Sequence, residues 1–258
     1  MLRNSAILLI LVLHFFSAQA QKFDIGGKVG VLVTWPHFGD SEDKKDFKPL
    51  PKLGLSIAGL INFPLKNNYS FQTEAGFSRQ GRIVSYNAGT WKNSSTYYFA
   101  DMNMMLRKSF NLRIAKNIPT NWFLNIGPNI NYWISANGKI EVEYGVTQKF
   151  TGVFNKAPEP SYDKMYLNNI NRWLFGLNLG IGFNATTTRH QKIFTELRFT
   201  WAGTYLGKKN SASMDGILGF QDNLKASLNV VNLSVAYIID KDRKESKMGK
   251  STLKIKRK

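Results

Sequence analysis

Residues 173–183 read WLFGLNLGIGF, and every second side chain in this stretch is large and apolar. The apolar side chains are Trp173, Phe175, Leu177, Leu179, Ile181 and Phe183, and from residue 176 to 182 only glycine and asparagine fill the positions between them. Successive side chains point to opposite faces only in a β-strand. The stretch therefore predicts a strand with one apolar face and one small or polar face.

The same two-residue period recurs in seven other segments, near residues 23–35, 52–63, 69–78, 98–107, 122–134, 193–205 and 231–239. No segment after the first twenty residues approaches the roughly 20 consecutive apolar residues of a membrane-spanning helix, and no long stretch keeps a helical period. An even number of strands with alternating faces is typical of outer-membrane barrels. We therefore predict an all-β chain whose residues 21–240 form one eight-stranded antiparallel up-and-down transmembrane β-barrel.

The connections between the predicted strands alternate in length. Long connections fall near residues 36–51, 80–95, 136–170 and 206–224, and shorter ones fall near 64–68, 108–121 and 185–191. Outer-membrane barrels have short periplasmic turns and long external loops, so we expect both termini in the periplasm. The long connections are rich in Asp, Lys, Asn, Ser, Gly and Pro, which predicts exposed loops without a core of their own.

The two ends of the chain differ from its middle. Arg3, the apolar run 6–16 and the small-residue ending Ala18-Gln19-Ala20 predict a cleavable secretory signal peptide at residues 1–20. Residues 241–258 hold nine Lys or Arg and little hydrophobic content, which predicts a basic periplasmic tail. The alternative is a solvated, disordered tail without a binding role.

A formal net charge of +18 indicates anionic partners. Because an exported chain rarely meets nucleic acid, we expect outer-membrane lipid or lipopolysaccharide and a protein partner in an envelope complex, and no nucleic acid. The candidate contacts in the tail are Lys254, Lys256, Arg257 and Lys258.

Aromatic side chains fall at the ends of the apolar faces, where membrane barrels carry two girdles at the level of the lipid headgroups. The predicted outer girdle contains Trp35, Tyr98, Tyr132, Trp173 and Tyr205, and the inner girdle contains Tyr69, Trp122 and Tyr237.

Charged residues of both signs share the opposite, lumen-facing side of the strands. They are Asp24, Lys28, Lys52, Glu74, Asp101, Arg107, Arg172, Glu196 and Arg198. An eight-stranded barrel is just wide enough for its own side chains, so we expect these groups to pair into a polar plug. The alternative is a narrow gated path for a solute.

The sequence favours a non-enzymatic role. A catalytic Ser or a metal site would need His nearby, but His14 belongs to the predicted signal peptide, and His37 and His190 fall at opposite ends of the predicted barrel. The chain has no Cys, so neither a disulfide nor a thiolate metal site is expected. We predict no cofactor and no bound metal.

Four segments resemble the PorT-like outer-membrane barrels of Bacteroidetes. They are FQTEAGFSRQG at residues 71–81, NIGPNI at 125–130, GLNLGIGF at 176–183 and ELRF at 196–199. Members of that family often carry an Ile-Pro pair after an acidic residue in the fourth strand, where this chain has Asp101-Met102-Asn103.

The resemblance implies an envelope location, and some relatives are associated with type IX protein secretion. We therefore expect a structural or adaptor component of an envelope complex. Two alternatives remain open from the sequence: a small passive pore or solute-uptake barrel, and a soluble periplasmic binding calyx of the lipocalin type.

Overall fold

Eight of the strands close into a ring, as predicted from the alternation. The computed structural model describes residues 23–39, 45, 47–86, 91–111, 120–142, 146–156, 159, 161–186, 192–208, 212–216 and 222–239. Within these residues the strands are β1 (Asp24–Phe38), β2 (Phe47–Leu50), β3 (Lys52–Pro64), β4 (Tyr69–Tyr86), β5 (Trp91–Asn111), β6 (Thr120–Val142), β7 (Thr147–Phe154), β8 (Lys164–Asn168), β9 (Trp173–Thr186), β10 (Lys192–Ala202), β11 (Ser213–Asp215), β12 (Asp222–Asn223) and β13 (Ala226–Ile239).

The ring runs β1, β3, β4, β5, β6, β9, β10, β13 and back to β1, and every pairing in it is antiparallel. The predicted eight-stranded barrel is thus confirmed. The predicted signal peptide at 1–20 and the predicted tail at 241–258 lie outside the described residues.

The alternation in the sequence separates the outside of the barrel from its inside. In β1, Val29 and Val31 are exposed on the outer wall, whereas Lys28 and Leu32 are buried inside. The same division holds in β9, where Leu177 and Leu179 face outward. A belt of exposed apolar side chains therefore surrounds the barrel, as bilayer contact requires. Among the described residues no helix is long and apolar enough to cross a membrane.

The two ends of the barrel are built differently. At the terminal end, where Ile25 of β1 pairs with Ile239 of β13, the turn 65–68 joins β3 to β4. Asn67 and Asn68 adopt left-handed backbone angles there, with φ of 59° and 61°, and Asn tolerates this region better than most residues. A tight turn therefore closes this hairpin.

At the opposite, extended end, several strands continue past the belt. A membrane-spanning strand needs about 9–11 residues, yet β4, β5 and β6 have 18, 21 and 23 residues. Beyond the belt β7 pairs with β6, β8 pairs in parallel with β7, β11 pairs with β8 and with β12, and β2 pairs with β4. These connections were predicted to be exposed loops, and this was wrong for the parts that form these strands.

The expectation that these connections lack a core was also wrong. A cluster of buried apolar side chains, which we call the second core, fills the extended end. It includes Tyr97, Phe99, Trp133, Ile140, Phe150, Met165, Leu167 and Met214. These eight residues come from five strands, and each strand contributes only one or two of them. No single segment therefore shows the long apolar alternation from which the sequence could predict a core.

Trp133 is the largest fully buried side chain of this second core. Its ring centroid lies 4.7 Å from that of Tyr97 and 5.3 Å from that of Phe154.

We predict that Trp133→Ala destabilises the extended end by about 3–5 kcal/mol, because the substitution leaves a cavity in the second core. The loss of stability should be measurable as faster proteolysis of this end in detergent. Trp173→Ala on the lipid-facing wall is the matched control. Equal protection of the wild type and Trp133→Ala would contradict an independent core.

Candidate functional site

A lysine from β1 joins two glutamates inside the barrel. Lys28 Nζ lies 2.9 Å from Glu74 Oε1 on β4 and 2.8 Å from Glu196 Oε2 on β10. All three side chains are buried, and the alternation of their strands aims each of them into the lumen. A single ammonium group therefore compensates two carboxylates that are out of contact with bulk water.

An arginine on β10 completes the connection across the lumen. Arg198 donates from Nη1 and Nη2 to the two carboxylate oxygens of Glu74, with both distances at 2.7 Å, and its Nε donates to Glu196 Oε1 at 2.5 Å. Bidentate pairs of this kind are among the stronger ion pairs in proteins. Because β4 and β10 occupy opposite positions in the ring of eight, the Glu74–Arg198 pair spans the barrel.

Amide side chains extend this network. Gln72 Nε2 and Asn103 Nδ2 donate to Glu74, and Asn103 Oδ1 accepts from Asn129 at 2.8 Å and from Asn178 at 2.7 Å. These neutral residues were not among the predicted site residues. The signal that could have identified them is their lumen-facing position: Gln72 and Asn103 share strands with predicted charges, and Asn129 and Asn178 lie on the small or polar faces of β6 and β9.

The charged and amide side chains form a polar layer in the lumen, and apolar side chains border this layer on both sides. On the terminal side Leu60, Phe123, Phe194, Ala236 and Ile238 form a buried cluster. Arg107 packs over it, with its guanidinium carbon 3.8 Å from the ring centre of Phe123, and its Nη2 lies 4.0 Å from Glu196. On the extended side the second core begins. Such packing suits a plugged lumen.

The space left inside the polar layer is small. A cavity of about 70 Å³ is lined by Lys28, Glu74, Asp101 and Arg198 together with the asparagine side chains. A volume of this size has room for a few water molecules.

Three of the predicted lumen residues lie apart from the network. Asp24 is at the terminal end, where Lys192 Nζ lies 3.5 Å from its carboxylate.

The other two predicted lumen residues, Lys52 and Arg172, are at the extended end. Lys52 binds Ser94, Ser95 and Thr96 of β5, and Arg172 donates to the backbone oxygens of Trp133 and Ile134. Arg172 precedes β9, so the alternation of that strand does not determine its direction.

The predicted girdle residues lie at two levels along the outer wall. Tyr69, Trp173, Tyr205 and Tyr237 are exposed, whereas Trp35, Tyr98, Trp122 and Tyr132 are half-buried. At the extended end Tyr132 pairs with Trp173 at 4.8 Å between ring centroids, and at the terminal end Trp122 packs on Phe183 at 5.8 Å.

Groups that could support catalysis are sparse in the described part of the chain. His37 is exposed near the end of β1, and His14 and His190 lie outside the described residues. No cluster of three or more His, Cys, Asp or Glu side chains within the described ranges could hold a metal ion.

A family model described as an outer membrane protein beta-barrel domain matches residues 18–203. This chain belongs to that family. It is therefore an outer-membrane β-barrel, and the soluble calyx is excluded, since a calyx turns its apolar face inward whereas this barrel has a charged interior and an apolar outer wall.

The chain is similar to solved outer-membrane barrels. OprG from Pseudomonas aeruginosa is 11% identical with a TM-score of 0.50, covering 86% of this chain and 97% of its own. The neisserial surface protein NspA is 10% identical with a TM-score of 0.42, covering 84% and 96%. At these identities the similarity concerns the fold alone. No curated protein sequence matches the chain significantly.

We predict strong coupling between Glu74 and Arg198. Removing one partner of a buried ion pair costs about 3–5 kcal/mol, because the other charge is left uncompensated. Arg198→Met alone should therefore destabilise the barrel more than Arg198→Met combined with Glu74→Gln, as measured by urea unfolding from lipid vesicles. Lys192→Gln, which removes a partly exposed pair with Asp24, is the control and should cost less than about 1 kcal/mol. Additive effects of the two substitutions would argue against the pair.

We also predict that the barrel does not conduct ions, because side chains from opposite walls meet inside it. Purified protein in planar lipid bilayers should show no steady single-channel openings. Steady openings whose conductance changes in Glu74→Gln would instead support the pore alternative.

Proposed function

We propose that this outer-membrane barrel is a non-enzymatic structural or adaptor component of an envelope complex. The observation that carries the proposal is the extended end, where strands continue past the membrane and enclose a core of their own. A barrel needs no second core to remain in the bilayer. A folded platform of this kind suits the binding of a macromolecule.

The filled lumen supports an adaptor over a solute-uptake barrel. The Glu74–Arg198 pair and the apolar cluster around Phe123 and Phe194 occupy the space that a solute would need. Partners would therefore bind surfaces outside the barrel wall.

Connection lengths support an orientation with the extended end outside the cell and both termini in the periplasm. The turn 65–68 is at the terminal end, and outer-membrane barrels place short turns in the periplasm. In this orientation the platform faces the exterior and the girdle side chains meet the headgroups of outer-membrane lipid and lipopolysaccharide.

Two exposed apolar side chains at the extended end are candidate contacts for a protein partner. Tyr162 is 85% exposed and Val146 is 58% exposed. Gln148 donates to the backbone oxygen of Tyr162, which fixes the chain beside the ring. Exposed aromatic residues on ordered backbone are frequent hot spots of protein interfaces.

The PorT-like resemblance supports a narrower proposal, a link to type IX protein secretion. Its motifs coincide with the charged interior, since 71–81 contains Glu74 and 196–199 contains Glu196 and Arg198. The basic tail adds a second contact surface: Lys254, Lys256, Arg257 and Lys258 would bind an acidic periplasmic partner or anionic headgroups, each contributing about 1 kcal/mol near an acidic surface.

Purification of the tagged full chain in mild detergent, with quantification of co-purifying envelope proteins, tests the proposal. Tyr162→Ala with Val146→Ser should reduce at least one specific partner by about tenfold or more. Leu65→Ser, which alters an exposed apolar residue at the terminal end, should leave that partner unchanged. Deleting residues 241–258 reports separately on the tail.

Identical co-purifying proteins with all variants would contradict the adaptor role. Unchanged secretion of type IX cargo after removal of this chain would contradict the narrower link while leaving the adaptor role standing.

A further inference from the structure

A groove lined by basic side chains lies on the outer wall at the extended end, just past the apolar belt. Lys52, Arg79, Lys139 and Lys149 line it together with Ser94, Thr96, Asn137 and Asp163, and its volume is about 590 Å³. We call these four cations and their surroundings the basic groove. Lys52 precedes Leu53, the first exposed apolar residue of β3, so its ammonium group lies beyond the membrane-spanning part of the strand.

The strand register aligns the basic groove across three strands. Ser94 of β5 is opposite Lys139 of β6, and Lys139 is directly opposite Lys149 of β7. Lys52 is tied to the same row, because its Nζ donates to Ser94 Oγ at 3.0 Å and to Thr96 Oγ1 at 2.8 Å. Like charges directly opposite each other destabilise a sheet, so this arrangement has a folding cost that an anion would offset.

The positive charge in the groove exceeds the negative charge beside it. Glu141 accepts from Lys139 at 2.5 Å and lies 3.4 Å from Lys92, and Asp163 lines the groove. Four cations against these two carboxylates leave two positive charges uncompensated. Burial, together with the charges of Arg79 and Lys139, lowers the pKa of Lys52 to about 8.

An apolar groove adjoins the basic groove on the membrane side. It has a volume of about 970 Å³ and is lined by Val29, Val31, Leu55, Ile57, Phe77 and Ile134 among others. Arg79 lines both grooves. An amphiphile could therefore place a charged head in one groove and acyl chains in the other without leaving the bilayer.

We propose that the basic groove binds the headgroup of a lipid that carries more than one phosphate, with its acyl chains along the apolar groove. Several cations spread along one row fit separated phosphates better than a single phosphate. Acyl chains would bring the headgroup to the level of Arg79 and concentrate it there. In the proposed orientation this lipid is in the outer leaflet, as bisphosphorylated lipid A is.

The full chain in phosphatidylcholine nanodiscs containing a small fraction of bisphosphorylated lipid A tests the inference. Both leaflets then present the lipid, so the result does not depend on orientation or on a protein partner. Native mass spectrometry would measure the lipid that remains bound. Arg79→Gln with Lys139→Gln and Lys149→Gln should weaken retention about a hundredfold, from about 1 kcal/mol for each cation.

A matched triple variant controls for net charge. Lys48→Gln, Lys156→Gln and Lys208→Gln remove three exposed lysines at the same end but outside the groove, and retention should stay within about threefold of the wild type. Heat-modifiable migration on gels confirms that both triple variants are folded barrels.

Three outcomes would overturn the proposal. The first is equal loss of lipid A from both triple variants, which would indicate general charge attraction. The second is equal retention of dephosphorylated lipid A. The third is release of bound lipid A by an equal concentration of inorganic pyrophosphate, which would assign the groove to a free anion.

Discussion

The ion pair between Glu74 and Arg198 is the interaction on which the barrel's interior depends. It joins β4 to β10 across the ring, and Lys28 ties both glutamates to β1. Charges in such a confined space are tolerated only when they are paired and hydrogen-bonded. Gln72 and Asn103 add hydrogen bonds to the Glu74 carboxylate, and the apolar clusters above and below keep bulk water from the layer.

Because the interior is filled, we expect the functional contacts on surfaces outside the barrel wall. The extended end supplies two of them: a platform with its own core around Trp133, and the basic groove at the edge of the membrane belt. Both depend on the length of β5 and β6. These strands continue far past the bilayer and carry Ser94 and Lys139 on their outer faces. One set of long strands thus builds a platform facing solvent and a groove facing lipid headgroups.

The two-residue period was enough to predict the eight barrel strands and the shared face of Lys28, Glu74, Glu196 and Arg198, because a pleated strand leaves no other direction for these side chains. It could not predict the second core, whose residues are distant in sequence and gather only through pairings such as β7 with β8. The period also assigned Lys52 and Arg172 to the charge network of the lumen, whereas both lie apart from that network at the extended end. A long side chain at a strand end reaches past its own level, so Lys52 contacts β5 and Arg172 contacts β6.

The most direct test of a lumen closed by ion pairs is the distance between the two groups that span it. Solid-state NMR in lipid bilayers can measure dipolar coupling between ¹⁵N in the guanidinium of Arg198 and ¹³C in the carboxylate of Glu74. With both N–O distances at 2.7 Å, we expect strong coupling between these two groups. Absence of coupling, with both side chains hydrated and apart, would contradict it.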